Sequence, residues 1–384
     1  MAAFNTREYR DRVSAVSAEM EKRNIDTLVV FSEANLCYLT GYEGFSDYVP
    51  QAAILRAGDT DPILLLREMD IHCAYPTAYL TDDKIECYSE DHIGTSARSP
   101  WDAIGDRVLK IAHGGCIGVE FGANCFSFDD YRKLTSVLDA TTLVDGSGVV
   151  ECAKRVKSDS EISYMRDAGR IVDKALLAGV EQISEGVREC DVAATILKHL
   201  TKGTHSCGGG PTKPVTMGVG SRAAAPHLKW TDEPYKMGSQ TGFEIGGYVH
   251  RYCCPLSRTA YLGDPPDRLR YLHDSVLESF LAAYSVVRPG NTCGDVYRAF
   301  ATTFFTKGIR KESRIGYSLG IDWSDGCFSL QGDDSHILEV NNTFHLIIGV
   351  WEKDDAYVFS EALHVVENGV ESFSNAPREL FVCD

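Results

Sequence analysis

The chain has 384 residues, with 44% hydrophobic and 24% charged side chains and a formal net charge of −17. That length exceeds one ordinary domain of about 100–200 residues, so two domains are expected, and the composition is that of a folded globular protein. The acidity, with no Lys/Arg cluster, speaks against a nucleic-acid partner, and no run approaches the ~20 apolar residues of a membrane-spanning helix.

In chain order, residues 6–24 place Tyr9, Val13, Val16 and Met20 at helical spacing. Strand-like runs follow at Thr27–Phe31, Ala52–Arg56, Pro62–Leu66 and Cys116–Glu120, with a helical stretch at Ala103–Ile111. Strands alternating with helices predict an α/β domain over 1–150. Residues 151–183 read as one long amphipathic helix whose start is marked by the capping box Ser158-x-x-Glu161, with Ile162, Met165, Val172 and Leu176 on its apolar face. Further helices are expected at 187–202, 265–286 and 293–307, and strands at 213–219, 241–248, 256–262, 343–350 and 361–366. This grouping predicts an α+β domain over 151–384. The thirteen cysteines show no CxxC or Cys/His ligand spacing. Together with a charged, helix-patterned start, they lead us to expect reduced thiols and a cytoplasmic location.

The segment "FEIGGYVHRYCCPLSRT" (243–259) places two strand-like runs, Phe243–Val249 and Leu256–Leu262, around a polar turn. Around it stand "KRVKSDSEISYMRDAG" (154–169), "SRAAAPHLKW" (221–230), "SRTAYLGDPP" (257–266) and "VVENGVESFS" (365–374). In order and spacing these resemble the creatinase/prolidase (M24) family, whose C-terminal domain has the pita-bread fold. The resemblance covers nearly the whole chain.

It implies a dinuclear metal site built from two Asp, one His and two Glu. At the corresponding positions this sequence has Glu244, Pro255, Tyr317, Ile347 and Ser360. Divalent cations need several carboxylates or imidazoles, and proline and isoleucine provide none. No catalytic metal and no other cofactor is therefore expected. The metal-free members that the resemblance brings closest open cyclic amidines, with ectoine as the implied substrate and an N-acetylated diaminobutyrate as product. The matching segments are "LTGYEGFSDYVPQAAIL" (39–55), "AAAPHLKW" (223–230), "FEIGGYVHRYCCPLSRTAYLGDPP" (243–266) and "TFHLIIGVW" (343–351). Two alternatives stand beside this one: a creatinase-type hydrolase acting on a guanidino compound, and a binding homologue without catalysis.

The candidate catalytic residues are Glu244, His227, Tyr317, Glu361 and His345. Glu244 faces a cationic substrate or attacks it, against a buried glutamate satisfied by Arg258. His227 serves as acid or base, against a histidine that ends a turn. Tyr317 or His345 supplies a proton to the leaving nitrogen, against core packing, and Glu361 adds a second carboxylate. Phe45, Asp47, Tyr48, Tyr252, Arg258 and Trp351 are the candidate substrate-binding residues. The resemblance implies that the loop bearing the first three reaches the partner's site in a homodimer. It also implies a small cationic or zwitterionic substrate and a deacetylase as functional partner. Cys253-Cys254 reads as two small apolar sheet residues rather than a nucleophile, since no thiolate-activating helix start is evident.

Overall fold

The structure is a computed structural model describing residues 2–46, 48–94, 98–139, 142–210, 215–352 and 355–384. It divides into two compact units, Met1–Lys154 and Arg155–Asp384. The first contains α1 (Thr6–Lys22), β1 (Thr27–Val30), α2 (Glu33–Thr40), β2 (Ala52–Arg56), β3 (Ile63–Arg67), α3 (Ile71–Thr77), β4 (Ile85–Tyr88), α4 (Pro100–Ala112), β5 (Ile117–Val119), α5 (Phe128–Thr135), β6 (Leu143–Asp145) and α6 (Val149–Lys154). Its strands lie in the order β4-β3-β2-β1-β5-β6. β1 runs antiparallel to β2 and parallel to β5. Phe31, Trp101, Ile104 and Val108 pack against this sheet in a buried cluster.

The second unit contains α7 (Asp159–Glu181), α8 (Glu189–Lys202), β7 (Thr216–Val219), β8 (Gln240–Val249), β9 (Tyr252–Leu262), α9 (Asp267–Val286), α10 (Cys293–Phe304), β10 (Gly316–Gly320), β11 (Trp323–Ser329), β12 (Thr343–Trp351), β13 (Ala356–Val366), β14 (Gly369–Ser372) and β15 (Phe381–Cys383). Its main sheet runs β11-β10-β12-β13-β9-β8-β7. β9 starts at Tyr252, four residues before the strand-like run expected from Leu256, so Pro255 is a strand residue and Cys253 and Cys254 lie in the sheet, as read from sequence. The turn is only His250-Arg251, both at positive φ (46° and 69°). That is the geometry of a two-residue hairpin, here without the usual glycine. The Arg251–Asp322 ion pair and a 2.9 Å bond from Asp322 N to Arg251 O hold it in place.

One helix was expected over 151–183, and two are found. Ser158 ends the link between α6 and α7: its Oγ accepts from Glu161 N at 3.2 Å, while the Glu161 carboxylate accepts from Ser158 N at 2.7 Å. Just before this cap, Lys157 turns inward onto Asp325, and both side chains are buried. The capping box is where it was expected, but it starts a second helix: the extended backbone at Ser158 (φ −71°, ψ 163°) separates α7 from α6.

The helices cover one face of the main sheet. Side chains alternate across a strand, and one set packs on the helices: Leu346, Ile348, Phe359 and Leu363 join Phe280, Val296 and Phe300 in a buried core. Gly247 belongs to this set. A Cβ there would lie 2.1 Å from Ala168 O of α7, so only glycine allows the helix so close. The other set of side chains faces away from the helices. No helix among the described residues is long and apolar enough to cross a membrane.

Asp325→Ala should lower the stability of the protein by about 3–5 kcal/mol, because it strands a buried lysine. Urea unfolding reads this loss as a reduced midpoint. The double variant Lys157→Met/Asp325→Leu should recover most of it.

Candidate active site

Five strands meet in one row. Thr216 pairs with Glu244, Glu244 with Ser257, Ser257 with Ser360, and Ser360 with Ile347. Directly paired residues of antiparallel strands project to the same face, and this is the helix-free face. Pro255 is two residues from Ser257 and shares it. So does His345, two residues from Ile347, with Tyr317 as its partner on β10.

Between β9 and β13 the described pairing is the single bridge Ser257–Ser360. Hydroxyls span the opening: Ser360 Oγ accepts from Ser257 N at 2.7 Å, and Thr259 Oγ1 donates to Val358 O and accepts from Val358 N, both at 3.0 Å. N–H groups two residues apart along a strand point the same way. Position 255 therefore faces this opening, where a proline leaves no partner unpaired.

The β10–β11 end of the sheet curls back toward the β8–β9 hairpin. Tyr252 forms a bridge to Ile321. A Cβ at Gly246 would lie 2.8 Å from the Trp323 ring, so the indole rests on bare backbone two residues from Glu244. Trp323 itself sits at φ 92°, a costly conformation for a bulky side chain. It was missed in the sequence because its own position carries no motif.

The polar groups on this face form a chain. Trp323 Nε1 donates to Tyr317 Oη at 2.8 Å; Tyr317 Oη lies 3.0 Å from His345 Nδ1; His345 Nε2 lies 2.7 Å from Ser360 Oγ. Burial pushes the His345 pKa down to about 3, so the ring is neutral and carries one proton. Hydrogen accounting then leaves one spare hydroxyl proton. If Nδ1 carries the ring proton, Ser360 donates to Nε2 and Tyr317 keeps its O–H free. If Nε2 carries it, Tyr317 donates to Nδ1 and Ser360 keeps the free O–H. Burial, and then the charge of nearby Glu244, raise the Tyr317 pKa, so its hydroxyl remains protonated.

Glu244 is half-buried, and desolvation pushes its carboxyl pKa up to about 7. Among the described residues no hydrogen-bond or ion-pair partner offsets this. Desolvation alone therefore favours its protonated form.

Three sequence expectations are corrected by strand parity. Glu361 follows Ser360 and therefore points to the helix side, where it is 1% exposed and bound by Arg258 at 3.2 Å and by Arg378 at 2.7 Å. Arg258 is itself fully buried there, donating to Ser360 O and Pro377 O and stacking over Phe359. Tyr252 also faces the helices, donating to Glu161 Oε1 of α7 at 2.6 Å. None of the three reaches the face that bears Glu244. Arg258 satisfies Glu361, not Glu244.

His227 lies exposed on the turn after β7, next to Leu228, whose carbonyl accepts from Met217 N at 2.9 Å. Trp351 has the parity of the site but sits at the far end of β12, in a recess with Lys311 and Glu352. In the first unit Phe45 and Tyr48 are 73% and 67% exposed, with Arg67 donating to Tyr48 Oη at 2.5 Å. Asp47 lies outside the described residues. Cys254 faces the helices, and burial holds its thiol protonated, which is unsuited to a nucleophile.

Residues 12–154 match the creatinase/prolidase N-terminal domain and residues 163–368 match metallopeptidase family M24. The chain belongs to family M24, a family of hydrolases, and combines a creatinase-type first domain with a pita-bread second domain. It is 38% identical over 380 residues to an uncharacterized hydrolase/peptidase, y4tL, of Sinorhizobium fredii, covering 99% of this chain and 97% of that protein. It is 33% identical over 392 residues to ectoine hydrolase of Halomonas elongata, covering 99% and 98%. Among solved structures, the prolidase of Thermococcus sibiricus superposes with a TM-score of 0.84 at 18% identity, covering 97% of this chain and 99% of that one. At that identity the match speaks for the fold.

The metal centre implied by the family does not fit these residues. Pro255 and Ile347 offer no donor atom, and both ring nitrogens of His345 are engaged by hydroxyls. Among the described residues no three His, Cys, Asp or Glu side chains come together in a way that could hold an ion.

The Glu244 carboxyl keeps its proton to higher pH in the folded protein than in the unfolded chain. The stability it contributes is full below the ordinary carboxylate range and is lost as pH rises through about 7. His345 acts in the opposite sense, withdrawing stability as pH falls below the ordinary imidazole range. Glu244→Gln should therefore be more stable than the wild type by about 1–3 kcal/mol near pH 8. The gap should close toward pH ~5, measured by urea unfolding across that range.

Proposed function

We propose that the protein is a metal-independent hydrolase of an amidine C–N bond, with ectoine as the leading substrate. The observation that carries this reading is Glu244: a desolvated carboxyl with no cationic side chain paired to it among the described residues. The resemblance sets it at the family's first metal-binding carboxylate, with Pro255 and Ile347 at two of the other ligand positions. The relative of 33% identity named for ectoine hydrolysis supports the choice of substrate.

The chemistry follows from the groups on this face. A protonated cyclic amidine is a planar cation, and Glu244 supplies the opposing charge. Pairing with that cation favours the ionised carboxylate. Hydrolysis places the oxygen of water on the amidine carbon as an amide carbonyl and breaks one C–N bond. One ring nitrogen leaves as an amine that must gain a proton, and the other keeps the acyl group. The spare hydroxyl proton of the Tyr317–His345–Ser360 chain is the donor on this face. Glu244 acts in one of two ways. It holds the cation while water attacks, or it bonds the amidine carbon itself and is released by water in a second step. In the first case exposed His227 is the candidate base for the water.

The purified protein should convert ectoine, within a panel of cyclic amidines and guanidino acids, to a product heavier by one water, read by mass spectrometry. Urea formed from creatine would instead favour the creatinase-type alternative, and no product from any panel member would sink the enzymatic reading. Turnover should survive chelators, and elemental analysis should find well under one equivalent of transition metal per chain. Stoichiometric metal whose removal abolishes activity would refute metal independence.

Glu244→Gln keeps the shape and removes the charge. Losing one partner of a buried charge pair costs about 2–5 kcal/mol, so kcat/KM should fall by at least about 30-fold. A collapse of kcat at saturating substrate, with a substrate-mass adduct on the wild-type Glu244 peptide, selects the covalent route. Near wild-type kcat/KM would remove Glu244 from the mechanism.

A further inference from the structure

Ser257 is fully buried, and its Oγ has no hydrogen-bond partner among the described residues. Its backbone is well held: its N–H is taken by Ser360 Oγ at 2.7 Å, and its carbonyl accepts from Arg258 Nη1 at 3.0 Å. The unmet need is confined to the hydroxyl. In native proteins such a group almost always has a partner.

Its position indicates what that partner is. Ser257 pairs directly with Glu244 on one side and with Ser360 on the other, all three on the helix-free face. Side chains paired in this way stand about 4.5–5.5 Å apart at Cβ. The glutamate is longer by two heavy-atom bonds, so a group seated on its carboxyl lies above the serine. Only something small reaches the hydroxyl from there. Glu361, the second carboxylate expected from sequence, is held on the other side of the sheet.

We infer that Ser257 Oγ is a second anchor for the cation held by Glu244: it accepts an N–H of that cation while Glu244 supplies the charge. This rests on the reading of Glu244 given above. It makes the site selective for planar cations with N–H groups on adjacent sides, such as amidinium, over cations that offer no N–H.

The test compares two probes by calorimetry, acetamidinium and tetramethylammonium, on wild type, Ser257→Ala and Glu244→Gln. Ser257→Ala should weaken acetamidinium binding by about three- to tenfold and leave tetramethylammonium unchanged, with no fall in Tm. Glu244→Gln should weaken both. Equal losses for both cations in Ser257→Ala, or no loss for either, would overturn the role given to Ser257 while leaving Glu244 in place. Failure of acetamidinium and tetramethylammonium alike to bind the wild type would remove the reading of Glu244, and this inference with it.

Discussion

Strand parity is the constraint on which the site depends. In the main sheet of the second unit each strand offers alternate side chains to the helices and to the open face, and register decides which residues meet. Glu244, Ser257, Ser360 and Ile347 form one row because β8, β9, β13 and β12 pair in that register. A shift of one residue would turn Glu361 and Arg258 to the open face and bury Ser257 and Ser360 against the helices. The apolar helix side prevents such a slip, since Leu346, Ile348, Phe359 and Leu363 would be lost from the core.

The same parity divides two uses of carboxylates. Glu361 is buried but doubly paired with Arg258 and Arg378, so its charge is retained as part of the scaffold. Glu244 is desolvated without a hydrogen-bond or ion-pair partner among the described residues, and its affinity for a proton rises accordingly. A desolvated carboxyl in that condition is costly for stability when ionised. The neutral His345, held between two hydroxyls, lies on the same face as Glu244.

The two-domain α/β and pita-bread architecture was legible in the sequence. Spacing alone marked α1, α8 and α9 and the central strands, because helical and strand periodicities are local properties of the chain. The capping box at Ser158 is equally local. That Pro255 and Ile347 bring no donor side chain is a matter of residue type alone, while their correspondence to the family's metal positions is what the resemblance implies.

What the tertiary structure decided is orientation and partnership. Glu361 and Ser360 are neighbours in the chain, yet they face opposite sides of the sheet, and only register shows which one meets Glu244. Arg258 could be expected near a glutamate, but whether that glutamate was 244 or 361 depends on strand pairing more than 100 residues apart. Trp323 joins the site through the curl of the sheet, a long-range feature with no local signal. Composition determined the kind of molecule and periodicity determined its elements. The assembly of the site was decided by non-local hydrogen bonding, because side-chain direction along a strand has a period of two residues and acquires meaning only when the neighbouring strand is in place.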